Sequence, residues 1–120
     1  MSTWESTEQR ALTTYSETET LECYDDWTEL DDYATINGWT ADADYNITVR
    51  AAAGQGHNGG GDGFQMGSNV SYEYAVKVQV DYTTISGFKV NSTFGNEYGI
   101  LSDADYVTIR DMAVYSMMLA

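Results

Sequence analysis

Nineteen carboxylates, five cations and one histidine are the ionisable stock of this 120-residue chain. Asp recurs in one phrase: Asp32-Tyr33-Ala34-Thr35-Ile36, Asp81-Tyr82-Thr83-Thr84-Ile85 and Asp105-Tyr106-Val107-Thr108-Ile109. Acids repeated at Asp32, Asp81 and Asp105 are weak candidates for Ca²⁺, which takes several carboxylate oxygens. The same residue type also suits the turn before a strand, and that reading makes the column structural. His57 stands alone in Gly54-Gln55-Gly56-His57-Asn58-Gly59-Gly60-Gly61-Asp62-Gly63-Phe64. No Ser-His-Asp or Cys-His arrangement can be assembled around it. The stretch lacks the Gly-Lys-Ser/Thr of a phosphate loop, so it reads as a loop leaving the fold at 54–63. Beyond the N-terminal region the bases are Arg50, Lys77, Lys89 and Arg110, and none stands in a catalytic motif. No catalytic residue and no cofactor is therefore assigned.

Net charge is −14. This excludes a grip on nucleic acid, which needs a basic face, and argues against an anionic membrane surface. The charge is uneven: residues 1–44 hold 12 acids and one base, and residues 45–120 hold 7 acids and 4 bases. At 42% hydrophobic and 13% aromatic residues the chain can build a core, and its length suits one small domain. A lone cysteine, Cys23, forms no internal disulfide. The first residues, Met1-Ser2-Thr3-Trp4-Glu5, show neither the basic nor the apolar part of an export signal. Asn46-Ile47-Thr48, Asn69-Val70-Ser71 and Asn91-Ser92-Thr93 are candidate glycosylation acceptors.

These residues must be positioned by a few elements. Ser2-Thr3-Trp4-Glu5 fits a capping box, and Trp4, Thr7, Ala11 and Leu12 fall near one helical face, so the spacing predicts a helix over 3–13. Residues 1–20 then form an N-terminal cap segment and residues 21–120 the main domain, opening with a strand at 21–24 and a turn at Asp25-Asp26-Trp27. The last two copies of the repeated phrase lie 24 residues apart and the first two 49. Residues 75–78 and 99–102 share an offset, and Val90 and Val114 share a column. Tyr33, Tyr82 and Tyr106 form one predicted core column; Ile36, Ile85 and Ile109 form a second, and Trp39, Phe88 and Met112 a third. Gly38, Gly87 and Asp111 mark a sharp bend, because Gly adopts a left-handed backbone freely and Asp better than most residues. Strand, bend and strand inside about 24 residues leave no room for a helix. The period predicts an all-β chain whose flat turns stack.

The phrase V-x-V-x-x-x-x-x-T-I-x-G-F-x-V, carried by residues 76–90 and 100–114 with a partial copy at 35–39, resembles the repeat of the right-handed parallel β-helix proteins of the pectate-lyase-like superfamily. The resemblance implies a short right-handed parallel β-helix of about 24 residues per coil, with the N-terminal helix capping one end. It is poor for function, because that scaffold serves lyases, hydrolases, adhesins and capsid proteins alike. The family's lyases use Ca²⁺ with an Arg or Lys as proton acceptor, and its hydrolase branch needs a His-Gly and an Arg-x-Lys. Here His57 is followed by Asn and Arg110 by Asp-Met.

The expected function is a non-enzymatic structural or surface protein, in a virion (capsid or tail) or an extracellular assembly. The chain ends on the apolar Met117-Met118-Leu119-Ala120, which reads either as a cut through a longer β-helix or as an end closed by another chain, the latter making a homo-oligomer or larger assembly. The non-repeating Trp4, Tyr24, Trp27, Tyr72, Tyr74 and Tyr98 suit an interface, where aromatics are enriched. The alternative is a fragment of a polysaccharide-binding or lyase-type β-helix, with a glycan as ligand.

Overall fold

A computed structural model describes residues 2–25, 34–57, 63–67, 74–92 and 98–116. Two short helices open it, α1 (Ser2–Glu8) and α2 (Leu12–Tyr15). Ten strands follow: β1 (Glu19–Cys23), β2 (Ala34–Ile36), β3 (Ile47–Ala51), β4 (Gln65–Gly67), β5 (Tyr74–Val78), β6 (Thr83–Ser86), β7 (Lys89–Ser92), β8 (Tyr98–Ser102), β9 (Thr108–Arg110) and β10 (Ala113–Ser116). Among the described residues no helix is long and apolar enough to cross a membrane.

The strands form three parallel sheets, ordered β1-β3-β6-β9, β2-β5-β8 and β4-β7-β10. The trios β2-β3-β4, β5-β6-β7 and β8-β9-β10 each give one strand to each sheet, so β8, β9 and β10 are edge strands at the same end. β-Branched and aliphatic residues alternate inward. Ile47, Val49, Val76, Val78, Ile85, Phe88 and Val90 are fully buried and, with Leu12, Ile36 and Met66, fill one core. Phe64 and Phe88 meet edge to face at 5.4 Å, an arrangement aromatic quadrupoles favour.

This topology corrects the expected fold. The described strands make three small parallel sheets of four, three and three strands, not the closed coils of a right-handed parallel β-helix. The constant 24-residue step holds only late in the chain, as in Lys89↔Gln65, Val76↔Ile100, Ile85↔Ile109 and Val90↔Val114. Earlier, Glu19 pairs with Ile47, Ala34 with Val76 and Ile47 with Thr83, which are longer and unequal steps. The Ile column is also corrected. Ile36 lies in β2 opposite Val78, in a different sheet from Ile85 and Ile109. The in-register series is Leu21, Val49, Ile85 and Ile109. A shared local turn made the two copies look alike in sequence.

The helix expected over 3–13 is two pieces. Ala11 between them is extended (φ −85°, ψ 97°) and bridges Thr40, while Thr40 O accepts the Leu12 N–H at 2.8 Å. The chain stops being helical there because its backbone is used to tie the segment to residue 40.

Candidate functional site

The four-stranded sheet sets the most distinctive surface. Its register aligns Thr20, Thr48, Thr84 and Thr108. Alternation puts these hydroxyls on the face opposite Val49 and Ile85, which are buried. Tyr82 and Tyr106 precede β6 and β9, and their rings stack at 4.6 Å with 10° between planes. Both have a left-handed backbone (φ 57° and 55°), a costly conformation for a bulky side chain. Backbone bonds hold it: Tyr82 N–H donates to Asp105 O (3.2 Å), and Tyr82 O accepts from Ile47 N (3.3 Å). Tyr82, Thr84, Tyr106, Val107 and Thr108, with Asn46 on the preceding turn, line an open hollow of about 360 Å³.

The predicted tyrosine core column is therefore corrected. Tyr106 is 72% exposed and Tyr82 half-buried; the pair decorates a turn on the surface, because a left-handed residue there swings its ring off the sheet. Tyr33 lies outside the described residues. Asn46 occupies the turn position in register with Tyr82, one residue before Ile47↔Thr83. The segment Asp44-Tyr45-Asn46-Ile47 is thus the spatial neighbour of the Tyr82 phrase across a longer connection.

Asp81, among the repeated acids, and Asp42, outside the repeat, accept backbone N–H groups at turns. Asp81 Oδ1 accepts the Asp105 N–H at 2.9 Å, and Asp42 Oδ1 accepts from Asp44 and Tyr45 N–H at 2.9 and 2.8 Å. Asp32 is outside the described residues, among which no group of three His, Cys, Asp or Glu is placed to hold a metal. Gly38, Gly87 and Asp111 have φ of 78°, 87° and 52°. His57 Nε2 donates to Asp111 O at 2.5 Å, and His57 N–H to Gly87 O at 3.1 Å. The two described ends of the Gly-rich stretch meet: Phe64 N–H donates to Gln55 O at 2.9 Å, and a Cβ on Gly63 would stand 2.6 Å from Gly56 O. Asn91 lies in β7, Asn46 is half-buried with Nδ2 donating to Ala43 O at 3.1 Å, and Asn69 is outside the described residues. Cys23 is buried. Trp27 and Tyr72 are outside the described residues.

The two ends of the sheets differ. At the first end α1 lies against β2. Trp4 stacks on Trp39 at 5.3 Å. Glu5, only 8% exposed, accepts three hydrogen bonds on Oε1, from Asn37 N (2.9 Å), Trp39 Nε1 (3.1 Å) and Gln9 Nε2 (3.1 Å). Arg10 reaches Glu19 at 2.8 Å and Glu17 at 3.0 Å, and its guanidinium carbon lies 5.6 Å from the Trp39 ring centre. The hydrogen bond to Glu19, against some desolvation and with a lesser bond to Glu17, raises the Arg10 pKa above its ordinary value. Sequence reading missed this cluster. Its partners lie up to 34 residues apart, and only the capping-box Glu5 hinted at it.

At the other end β8, β9 and β10 have no further strand beside them among the described residues. Ile109 and Val114, expected in the core or its columns, are 44% and 49% exposed. Their partners one strand back, Ile85 and Val90, are at 0%. Ile109 is corrected as a core residue because β9 is the last strand of its sheet. Met112 is half-buried for the same reason, whereas Phe88 and Trp39 are buried. Comparison with family models, with curated proteins and with solved structures found no match to this chain.

Proposed function

We propose that the protein is a non-enzymatic structural protein that assembles through the edge formed by β8, β9 and β10, with a second copy of itself as the partner. The carrying observation is the contrast within single columns, Ile85 against Ile109 and Val90 against Val114: buried in one strand, about half exposed in the next. Apolar side chains on three coincident edge strands are what a further layer of strands would cover, and unpaired edges invite such pairing. Full burial of one aliphatic side chain contributes about 1.5–3 kcal/mol.

The arrangement favours a closed two-fold pair. The opposite end differs, with α1 against β2 and Trp4 stacked on Trp39, so pairing of the two like ends is favoured over head-to-tail growth. A two-fold brings the two open ends together and the strands antiparallel. Charge agrees. The described acids Glu5, Glu8, Glu17, Glu19 and Glu22 lie in or beside α1 and β1, at the other end of the sheets, so pairing through β8, β9 and β10 keeps those of the two copies apart.

The test is mass in solution, by light scattering after size exclusion and by sedimentation over a concentration series. The unmodified chain is expected to dimerise and the double variant Ile109→Lys/Val114→Lys to stay monomeric with an unchanged circular dichroism spectrum. A monomer at every concentration, or a dimer indifferent to both substitutions, overturns the reading.

A further inference from the structure

We infer that the hollow beside the stacked tyrosines is a binding site for a neutral pyranose chain. Its volume of about 360 Å³ falls within the range of small-ligand clefts. Its wall combines two aromatic rings (Tyr82 and Tyr106), the hydroxyls of Thr84 and Thr108 and the carboxamide of Asn46, with no charged side chain among its lining residues. A pyranose has the matching pair of properties: a C–H face for a ring and hydroxyls for polar neighbours. A purely apolar ligand would leave the Thr84 and Thr108 hydroxyls facing no polar group on its side, which is costly. An anionic ligand would approach a chain of net charge −14 beside Asp81 and Asp105.

The site is also preorganised. The two rings already stack on each other at 4.6 Å, which lowers the side-chain freedom lost on binding. Thr84 and Thr108 are in register on adjacent strands, with Thr48 next in line. The hydroxyls therefore repeat at the strand spacing, roughly 4.8 Å, as a chain ligand requires. The sugar has two sources of identical chemistry: a free polysaccharide, or a glycan attached at Asn46, which heads Asn46-Ile47-Thr48 and forms part of the wall.

The experiment titrates the full chain, by calorimetry and NMR, with hexasaccharides of glucose, mannose and N-acetylglucosamine, alongside mass spectrometry of native protein at Asn46. If Asn46 is bare, one hexasaccharide is expected to bind saturably. Tyr106→Ala then weakens it about tenfold and Thr108→Val about fivefold, both variants keeping the parent circular dichroism. If Asn46 carries a glycan, NMR contacts between that sugar and the Tyr82 or Tyr106 ring are expected. The inference is overturned by a bare Asn46 with no binding of the three sugars, by binding indifferent to Tyr106→Ala, or by an Asn46 glycan without ring contacts. The Ile109→Lys/Val114→Lys variant should still bind, which separates failure of this site from failure of the assembly reading.

Discussion

The covered end and the open end solve the same physical problem in opposite ways. Each is where parallel sheets stop and leave backbone and apolar side chains without a neighbouring strand. At the first end α1 supplies a lid: Trp4 on Trp39, and one Glu5 oxygen gathering Asn37 N–H, Trp39 Nε1 and Gln9 Nε2. At the last end nothing comparable stands over β9 among the described residues, and Ile109 and Val114 remain half exposed. The lesson is that equal residues in one column have unequal worth, set by whether a neighbour lies beyond them.

The largest expected effect tests that statement directly. Ile85→Ala should cost about 2–5 kcal/mol, as for other buried aliphatic truncations, and Ile109→Ala less than about 1 kcal/mol. Urea unfolding at concentrations where the chain is monomeric reads both. Equal costs would erase the contrast. Next, Glu5→Ala should destabilise by about 2–3 kcal/mol, because two donors, Asn37 N–H and Trp39 Nε1, lose their acceptor. Glu5→Gln should recover most of that in the same denaturation assay, and an unaffected midpoint for Glu5→Ala would show that the lid is held by the tryptophans alone.

A smaller effect separates two glycines of similar backbone. Gly38→Ala meets a positive φ of 78° and the Gln9 carboxamide at 2.5 Å, whereas Gly87→Ala meets a φ of 87° and only ordinary contacts with Ala51. The left-handed strain of about 1–2 kcal/mol is common to both, so Gly38→Ala should have the lower melting temperature. The smallest effect is Arg10→Met, at most about 1 kcal/mol, since its ion pairs are partly exposed, and added salt should shrink it further. Its pH signature is also defined. The folded-state pKa is raised, so the stabilisation is complete below the ordinary guanidinium range and fades as pH climbs through the folded value. Arg10 therefore adds no slope to stability across the neutral range, and a midpoint difference between parent and variant that varies there would contradict it.

Much of the inner wall was legible from the repeat. Where the interval was 24, aligned letters became aligned strands: Val76 with Ile100, Ile85 with Ile109, Val90 with Val114. The bend at Gly38, Gly87 and Asp111 was legible because few residues accept that backbone, and all three adopt it. Two things were not legible. The Ile36 copy imitated the phrase but belongs to another sheet, since a turn signature is local and cannot report which strand lies alongside. The tyrosines were placed inside because they repeat, yet repetition reports only equivalence between strands; the left-handed φ that turns Tyr82 and Tyr106 outward has no letter of its own when the residue is not glycine. The groove on Asn46, Tyr82 and Tyr106 needed the unequal connection between β3 and β6 before its three turns could be aligned.

The meeting of Gly56 and Gly63 has a practical meaning. Phe64 N–H closes on Gln55 O, and a Cβ on Gly63 would stand 2.6 Å from Gly56 O, so the residues on either side of 58–62 are held together independently of that segment's length. Closing a longer connection costs only slowly with each added residue. An epitope or affinity tag spliced between His57 and Gly63 is therefore expected to leave the sheets on either side paired.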